Sequence, residues 1–193
     1  GHAGQKCSAA SRILVDERIL PRFVSRFSEA CYDIRVGESY KFDTTINPVI
    51  SAADKQRLIR EGHEACKEAL NFGGKVLVNR IDEELPGCCV GPLVIQLPAS
   101  RALSKESYSR KELFGPIAHV IPYQTIDQTV KIVNSSEYAL TAGVFSQSQD
   151  DIDYIVKKIE AGNIYVNRGC TGARVSIEPF GGFKLSGTGP KAG

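Results

Sequence analysis

The stretch IAHVIPYQTIDQTVKIVNSSEYALTAGVFSQSQDDIDYIVKKIEAGNIYVN, residues 117–167, decides the fold class. Residues 117–123 form a short apolar run of the kind that makes a buried strand. Thr125, with Gln128 three residues later, makes a capping box ahead of Ile126, Val130, Ile132 and Val133, which share the spacing of a helix face. Residues 142–145 return to strand character. Ser148 caps another helix with Ile152, Ile155, Val156 and Ile159 inward and Gly162 at its end, and residues 164–166 read as a further strand. Strands alternating with amphipathic helices are the pattern of an α/β protein.

The same alternation runs upstream. Ile13-Leu14-Val15 reads as a strand, and Pro21 opens a helix with Phe23, Val24, Phe27, Ala30, Cys31 and Ile34 on one face. Residues 37–50 read as a connection. Ser51 with Asp54 starts a helix through Leu70, residues 71–74 end it, and residues 75–78 form a strand. Another strand, residues 92–95, lies in a middle broken by Pro and Gly. Residues 167–193 read as a glycine-rich irregular tail. The expectation is an α/β fold with a mostly parallel sheet flanked by helices. No repeat or linker divides it, so residues 3–193 are expected to form one domain. Gly1-His2 reads as a tag remnant and suggests an engineered truncation.

Composition narrows the function classes. The 193 residues carry a net charge of +2, with 42% hydrophobic and 24% charged residues, which suits a folded globular chain. So small a charge supplies no field for nucleic acid or an acidic membrane. The pairs Arg110-Lys111 and Lys157-Lys158 sit beside acids and read as solvated surface. The longest apolar runs are too short to span a bilayer, so neither a nucleic acid nor a membrane is expected as a partner. Six cysteines and three histidines lack the spacing of a zinc site, and the chain is long enough to need no disulfides. Free thiols in a reducing compartment are expected, with no metal site.

Three places could carry chemistry. Cys7 lies among small and polar residues rather than in an apolar period. If its turn feeds a short helix over residues 8–12, the sulfur lies near a helix N-terminus, where the dipole and free N–H groups favour a thiolate. Composition alone leaves a reactive thiol and an ordinary exposed cysteine both open. Glu112, in KELFGP, reads by itself as a solvated acid. In the tail, glycines allow close backbone approach to another body, and Phe180 supplies an apolar wall. Phe183, Val175 and Ile177 add more apolar content than a floppy tail would carry. Cys170 reads as a small buried residue rather than a second nucleophile. GTGPKAG has the glycines of a phosphate loop without the flanking strand and helix, and is rejected as a dinucleotide fingerprint.

Taken together and in order, these segments resemble the catalytic domain of the aldehyde dehydrogenase superfamily. GQKCSAASR is similar to the stretch around the family's nucleophilic cysteine, KELFGP to its E-[IL]-F-G-P motif, and PFGGFKLSG to its P-F-G-G-x-x-x-S-G motif. YALTAGVFS and EAGNIYVN match as well, so the resemblance covers the chain from Ala3 onward. NRGCTGARV followed by EPFGGFKLSG further resembles the branch that oxidises L-glutamate γ-semialdehyde, the 1-pyrroline-5-carboxylate dehydrogenases.

The resemblance implies that the Cys7 thiolate attacks the aldehyde carbon, giving a thiohemiacetal held partly by the Cys7 backbone N–H. Hydride transfer to NAD leaves a thioester, and water releases glutamate. It implies that Ser8 and the backbone of Gly172 and Ala173 hold the substrate's α-carboxylate, with Phe180 on its aliphatic part. Glu112 would bond the nicotinamide ribose, and Phe114 would lie beside the nicotinamide. The family's general base lies in an E-L-G-G-K motif that these 193 residues do not contain. The oxyanion-hole asparagine, the NAD-binding domain and the C-terminal oligomerisation segment are likewise missing from them. The expectations are therefore an inactive fragment that binds NAD poorly, a cofactor-binding domain as its missing partner, and self-association into a homo-oligomer. A cytoplasmic location is expected, or the mitochondrial matrix if the source is eukaryotic. A dehydrogenase of another substrate branch and a non-catalytic scaffold that kept the fold are the alternatives.

Overall fold

Ile13, Leu14 and Val15 lie in β1 (Arg12–Asp16), the first strand of the computed structural model, which describes residues 2–174 and 176–191. Gly1, Val175, Ala192 and Gly193 lie outside the described residues. So do two readings that fall on them, Gly1 as a tag remnant and Val175 as part of the tail's apolar content. The chain forms two compact units: the N-terminal segment through Lys6 with Ser11–Tyr123, and Cys7–Ala10 with the chain from Gln124 onward.

In the first unit, β1 is followed by α1 (Leu20–Asp33), α2 (Ala52–Asn71), β2 (Lys75–Asn79), β3 (Leu93–Gln96), the short α3 (Ala99–Ala102) and β4 (Ile117–Tyr123). The strand order is β1-β4-β3-β2; β1 and β3 run parallel to β4, and β2 pairs antiparallel with β3. Period-two alternation sends neighbouring residues to opposite faces. Leu93 and Ile95 pack with Leu58, Ala65 and Ala69 of α2, whereas Val94 packs with Cys31, Phe23 and Phe27 of α1. Helices thus cover both faces, which is why these strands read as continuous apolar runs. Burying each such aliphatic side chain contributes about 1.5–3 kcal/mol.

Both start signals in this unit act as expected. Pro21 lies in the first turn of α1, and the Ser51 hydroxyl accepts the Asp54 N–H at the start of α2. The short helix over residues 8–12 does not form. Cys7 and Ser8 make a turn, and Arg12 is already in β1, where the Ser11 carbonyl accepts the His119 N–H at 2.9 Å. Pairing with β4 already engages Ser11 and Arg12, so the sheet ladder takes the backbone groups that a helix over residues 8–12 would use.

The second unit contains α4 (Ile126–Asn134), β5 (Tyr138–Ala139), β6 (Thr141–Val144), α5 (Gln149–Lys158), β7 (Asn163–Val166) and β8 (Phe183–Lys184). Thr125 and Ser148 cap α4 and α5 by accepting the N–H groups of Gln128 and Asp151. The Gln128 side chain returns a bond from the Gln124 N–H at 2.8 Å, completing the capping box. β6 and β7 are parallel, and Val144 and Ile164 pack with Val130 of α4 and with Ile152, Ile155 and Ile159.

Two expectations are corrected in this unit. Gly162 is not the cap of α5, which ends at Lys158; its place is set by close approach, since a Cβ there would overlap the Gly181 carbonyl. The tail is not wholly irregular. β8 pairs antiparallel with β5, and Phe180 bridges Lys191 through reciprocal backbone bonds of 3.0 and 3.1 Å. A third correction falls in the first unit, where Arg110 is half-buried with its Nε fully enclosed, not a solvated charge.

Candidate active site

Cys7 is exposed, while Ser8 beside it is only 6% exposed. The chain leaves the first unit after Lys6 and rejoins it at Ser11. Gln5 is anchored in that unit: its backbone N–H donates to the His2 carbonyl, and its Oε1 accepts the Ile50 N–H at 2.9 Å. The residues flanking the turn, Gln5 and Ser11, are both held within the first unit. With no helix over residues 8–12, that segment supplies no dipole to the thiol.

The loop after β7 lies in the same unit as this turn. The Cys170 thiol reaches the Ser8 carbonyl, with Sγ 3.7 Å from the oxygen. Cys170 is half-buried and packs over Gly143 of β6, rather than lying inside the core as expected. The loop starts at Asn167, in left-handed backbone with φ 53°, whose side chain bonds both the N–H and the carbonyl of Ser146 at 3.0 Å. Arg168 lies over the Tyr165 ring, 5.4 Å from its centroid. Gly172 has φ 97°, a conformation that favours glycine. Among the described residues, no backbone carbonyl accepts the N–H of Gly172 or of Ala173. Successive free N–H groups at a left-handed residue form an anion-binding concavity.

PFGG is used differently from the expectation that its glycines meet another body. A Cβ at Gly181 would crowd the Gly189 carbonyl, and one at Gly182 would crowd Ser186 and the Ala139 carbonyl. Asn163 fixes the motif by donating to the Pro179 carbonyl at 2.8 Å and accepting the Gly181 N–H at 3.3 Å. These glycines close the tail onto its own unit, and Phe180 stays 36% exposed beside them.

Glu112 and Phe114 belong to the first unit. Leu113 between them is buried, its carbonyl accepts Arg57 Nη1 at 2.8 Å, and Gly115 lies so tightly on Leu58 that a Cβ would overlap it. This fixing forces Phe114 into left-handed backbone, φ 54°, with its ring 41% exposed. Glu112 is exposed as a residue. Even so, desolvation holds its carboxyl above the usual carboxylate range, against a downward pull from the Phe114 N–H. Just upstream, buried Glu68 accepts Arg101 Nε at 2.6 Å and the Tyr108 N–H at 3.1 Å, which positions the segment leading into KELFGP. Asn163, Asn167 and Glu68 carried no sequence signal beyond their type, because their partners are distant in the chain.

The fold and these segments define an α/β module that presents one exposed cysteine beside an N–H-rich loop. Residues 1–193 match the profile of the aldehyde dehydrogenase family, and the chain belongs to that family. It is 34% identical over 194 residues to 1-pyrroline-5-carboxylate dehydrogenase from Bacillus licheniformis, covering all of this chain and 36% of that protein. Proline utilization A from Bdellovibrio bacteriovorus, in its structure inactivated by N-propargylglycine, aligns with a TM-score of 0.88 and 37% identity, over 100% of this chain and 19% of that one. Apo betaine aldehyde dehydrogenase from Staphylococcus aureus, a mutant carrying a BME-modified cysteine, aligns with a TM-score of 0.85 and 29% identity, over 100% and 37%. The chain thus spans about a third of the length of the curated dehydrogenase relative it matches.

Proposed function

We propose that this chain is the nucleophile-bearing part of a 1-pyrroline-5-carboxylate dehydrogenase, which oxidises L-glutamate γ-semialdehyde to glutamate in proline catabolism. The observation that carries the reading is the exposed Cys7 beside buried Ser8, in one unit with Gly172 and Ala173, whose N–H groups meet no backbone carbonyl among the described residues. The family and the named relatives support the reaction class. The Cys7 thiolate attacks the aldehyde carbon, and the new oxyanion takes the Cys7 N–H. Ser8 with Gly172 and Ala173 holds the α-carboxylate. A carboxylate at so buried a serine is stable only if its oxygens are bonded, which the Gly172 turn provides. Phe180 packs on the substrate's methylenes. Cys7 then carries the acyl group as a thioester until water releases it.

NAD, when bound, supplies the hydride acceptor. The residues present fit its nicotinamide end. Phe114 offers an exposed ring on a fixed backbone, and Glu112 offers a partly desolvated carboxyl for a ribose hydroxyl. The general base of the family's E-L-G-G-K motif is not among these 193 residues. By themselves they should therefore produce no NADH from NAD and L-glutamate γ-semialdehyde, followed by absorbance against a full-length dehydrogenase. NADH formation at a rate near that of the full-length enzyme would overturn this assignment of roles.

A further inference from the structure

The role proposed for Cys7 leaves a second thiol unexplained. Cys170 directs its Sγ to the carbonyl of Ser8, the residue that follows Cys7, at 3.7 Å. The other four cysteines are placed differently. Cys31 and Cys89 are buried, and Cys66 and Cys88 pack against the core of the first unit. Cys170 sits in a loop with glycine on both sides. A Cβ at Gly169 would meet nothing within 4 Å, and Gly172 has a left-handed φ. A disulfide needs Cα atoms about 4.4–6.8 Å apart, and Cys170 already contacts the backbone of the residue after Cys7.

We propose that Cys7 and Cys170 form a peroxide-sensitive pair in which Cys170 is the resolving thiol. A hydroperoxide such as hydrogen peroxide is the oxidant. The Cys7 thiolate attacks the distal peroxide oxygen, the O–O bond breaks, and Cys7 becomes a sulfenic acid as hydrogen peroxide is reduced to water. The Cys170 thiolate then attacks the Cys7 sulfur, the S–O bond breaks, and the sulfenic oxygen leaves as water once protonated. The product is one disulfide and two waters for each peroxide, a two-electron oxidation that a dithiol reverses. The pair would spare an exposed nucleophile from the irreversible sulfinic state. The inference rests on Cys7 being the reactive thiol.

The chain's own tryptic sites make the test direct. Cleavage after Lys6, Arg12, Arg168 and Arg174 releases CSAASR and GCTGAR, each with a single cysteine. The reduced chain is treated with several equivalents of hydrogen peroxide, one to form the sulfenic acid and a second to carry any unresolved sulfenic acid to sulfinic, then alkylated, digested and analysed by mass spectrometry. The expected product is CSAASR joined to GCTGAR within one chain, lost on reduction. In a Cys170→Ser variant with an unchanged circular dichroism spectrum, the joined peptide disappears and sulfinic Cys7 rises several-fold. Equal sulfinic acid at Cys7 in both proteins would overturn the pairing while leaving Cys7 a reactive thiol. A Cys7 that stays reduced while buried cysteines oxidise would overturn both the pairing and the proposed function.

Discussion

Phe114 shows how single residues pay for a site in this protein. A phenylalanine in left-handed backbone costs about 1–2 kcal/mol relative to its ordinary conformations. It persists because buried Leu113, the Arg57 bond to the Leu113 carbonyl and the Leu58–Gly115 contact leave no alternative. Such strain at an exposed aromatic ring marks a functional position better than the motif letters alone. Nothing in the sequence announced it, since the constraint comes from α2. His119 shows a second cost. It is 2% exposed, its Nε2 has no hydrogen-bond partner among the described residues, and burial followed by the charge of Arg12 lowers its pKa from 6.5 to about 4. The unfolded chain binds a proton at His119 below pH 6.5 that the folded chain refuses until pH 4. Stability is therefore complete above the higher value and falls as pH drops between the two, by up to about 3 kcal/mol. Urea unfolding of the wild type should lose that stability between pH 7 and pH 4, and a His119→Gln variant should show a shallower loss. A loss of equal slope in both would rule out His119 as its source.

Among the elements, the periodic ones were legible and the paired ones were not. The three capped helices and the long strands follow from local spacing, because cap chemistry and face periodicity lie within a few residues. β5 and β8 are two residues each and exist only through pairing across nearly fifty positions, which no local window contains. The start of β1 at Arg12, which leaves no helix over residues 8–12, belongs to the same class, for β4 decides it. Two substitutions test what holds elements in place. Arg80 Nη1 donates to the carbonyls of Cys31, Tyr32 and Ile34, satisfying the C-terminal end of α1. An Arg80→Leu variant is expected to lose about 2–3 kcal/mol in urea unfolding, since three charged hydrogen bonds are broken and two part-buried carbonyls lose their donor. At Gly162, alanine would have to displace the Gly181 backbone, a change that overpacking data put at about 1–3 kcal/mol or more. Unfolding of Gly162→Ala with a wild-type midpoint would contradict the reading of PFGG as a clasp.

For the whole molecule, composition placed the chain among folded globular proteins, the alternation of strands and helices made it α/β, and three spaced motifs pointed to its family. The candidate site residues Cys7, Ser8, Glu112, Phe114, Gly172, Ala173 and Phe180 were named from their motifs; all are among the described residues, and their roles are those proposed above. What the sequence did not convey was how the segments are held, by Asn163, Asn167 and the Cys170 contact with Ser8. The central claim is that Cys7 attacks an aldehyde whose carboxylate is gripped beside it. Its most direct test is the rate at which iodoacetamide labels Cys7 at pH 7, measured on the peptide CSAASR with buried Cys31 as the internal reference. Cys7 is expected to label faster than Cys31. L-glutamate γ-semialdehyde should slow Cys7 saturably, propanal at the same concentration should slow it far less, and neither should alter Cys31. Labelling of Cys7 that is indifferent to the semialdehyde, or slowed equally by propanal, would contradict the account.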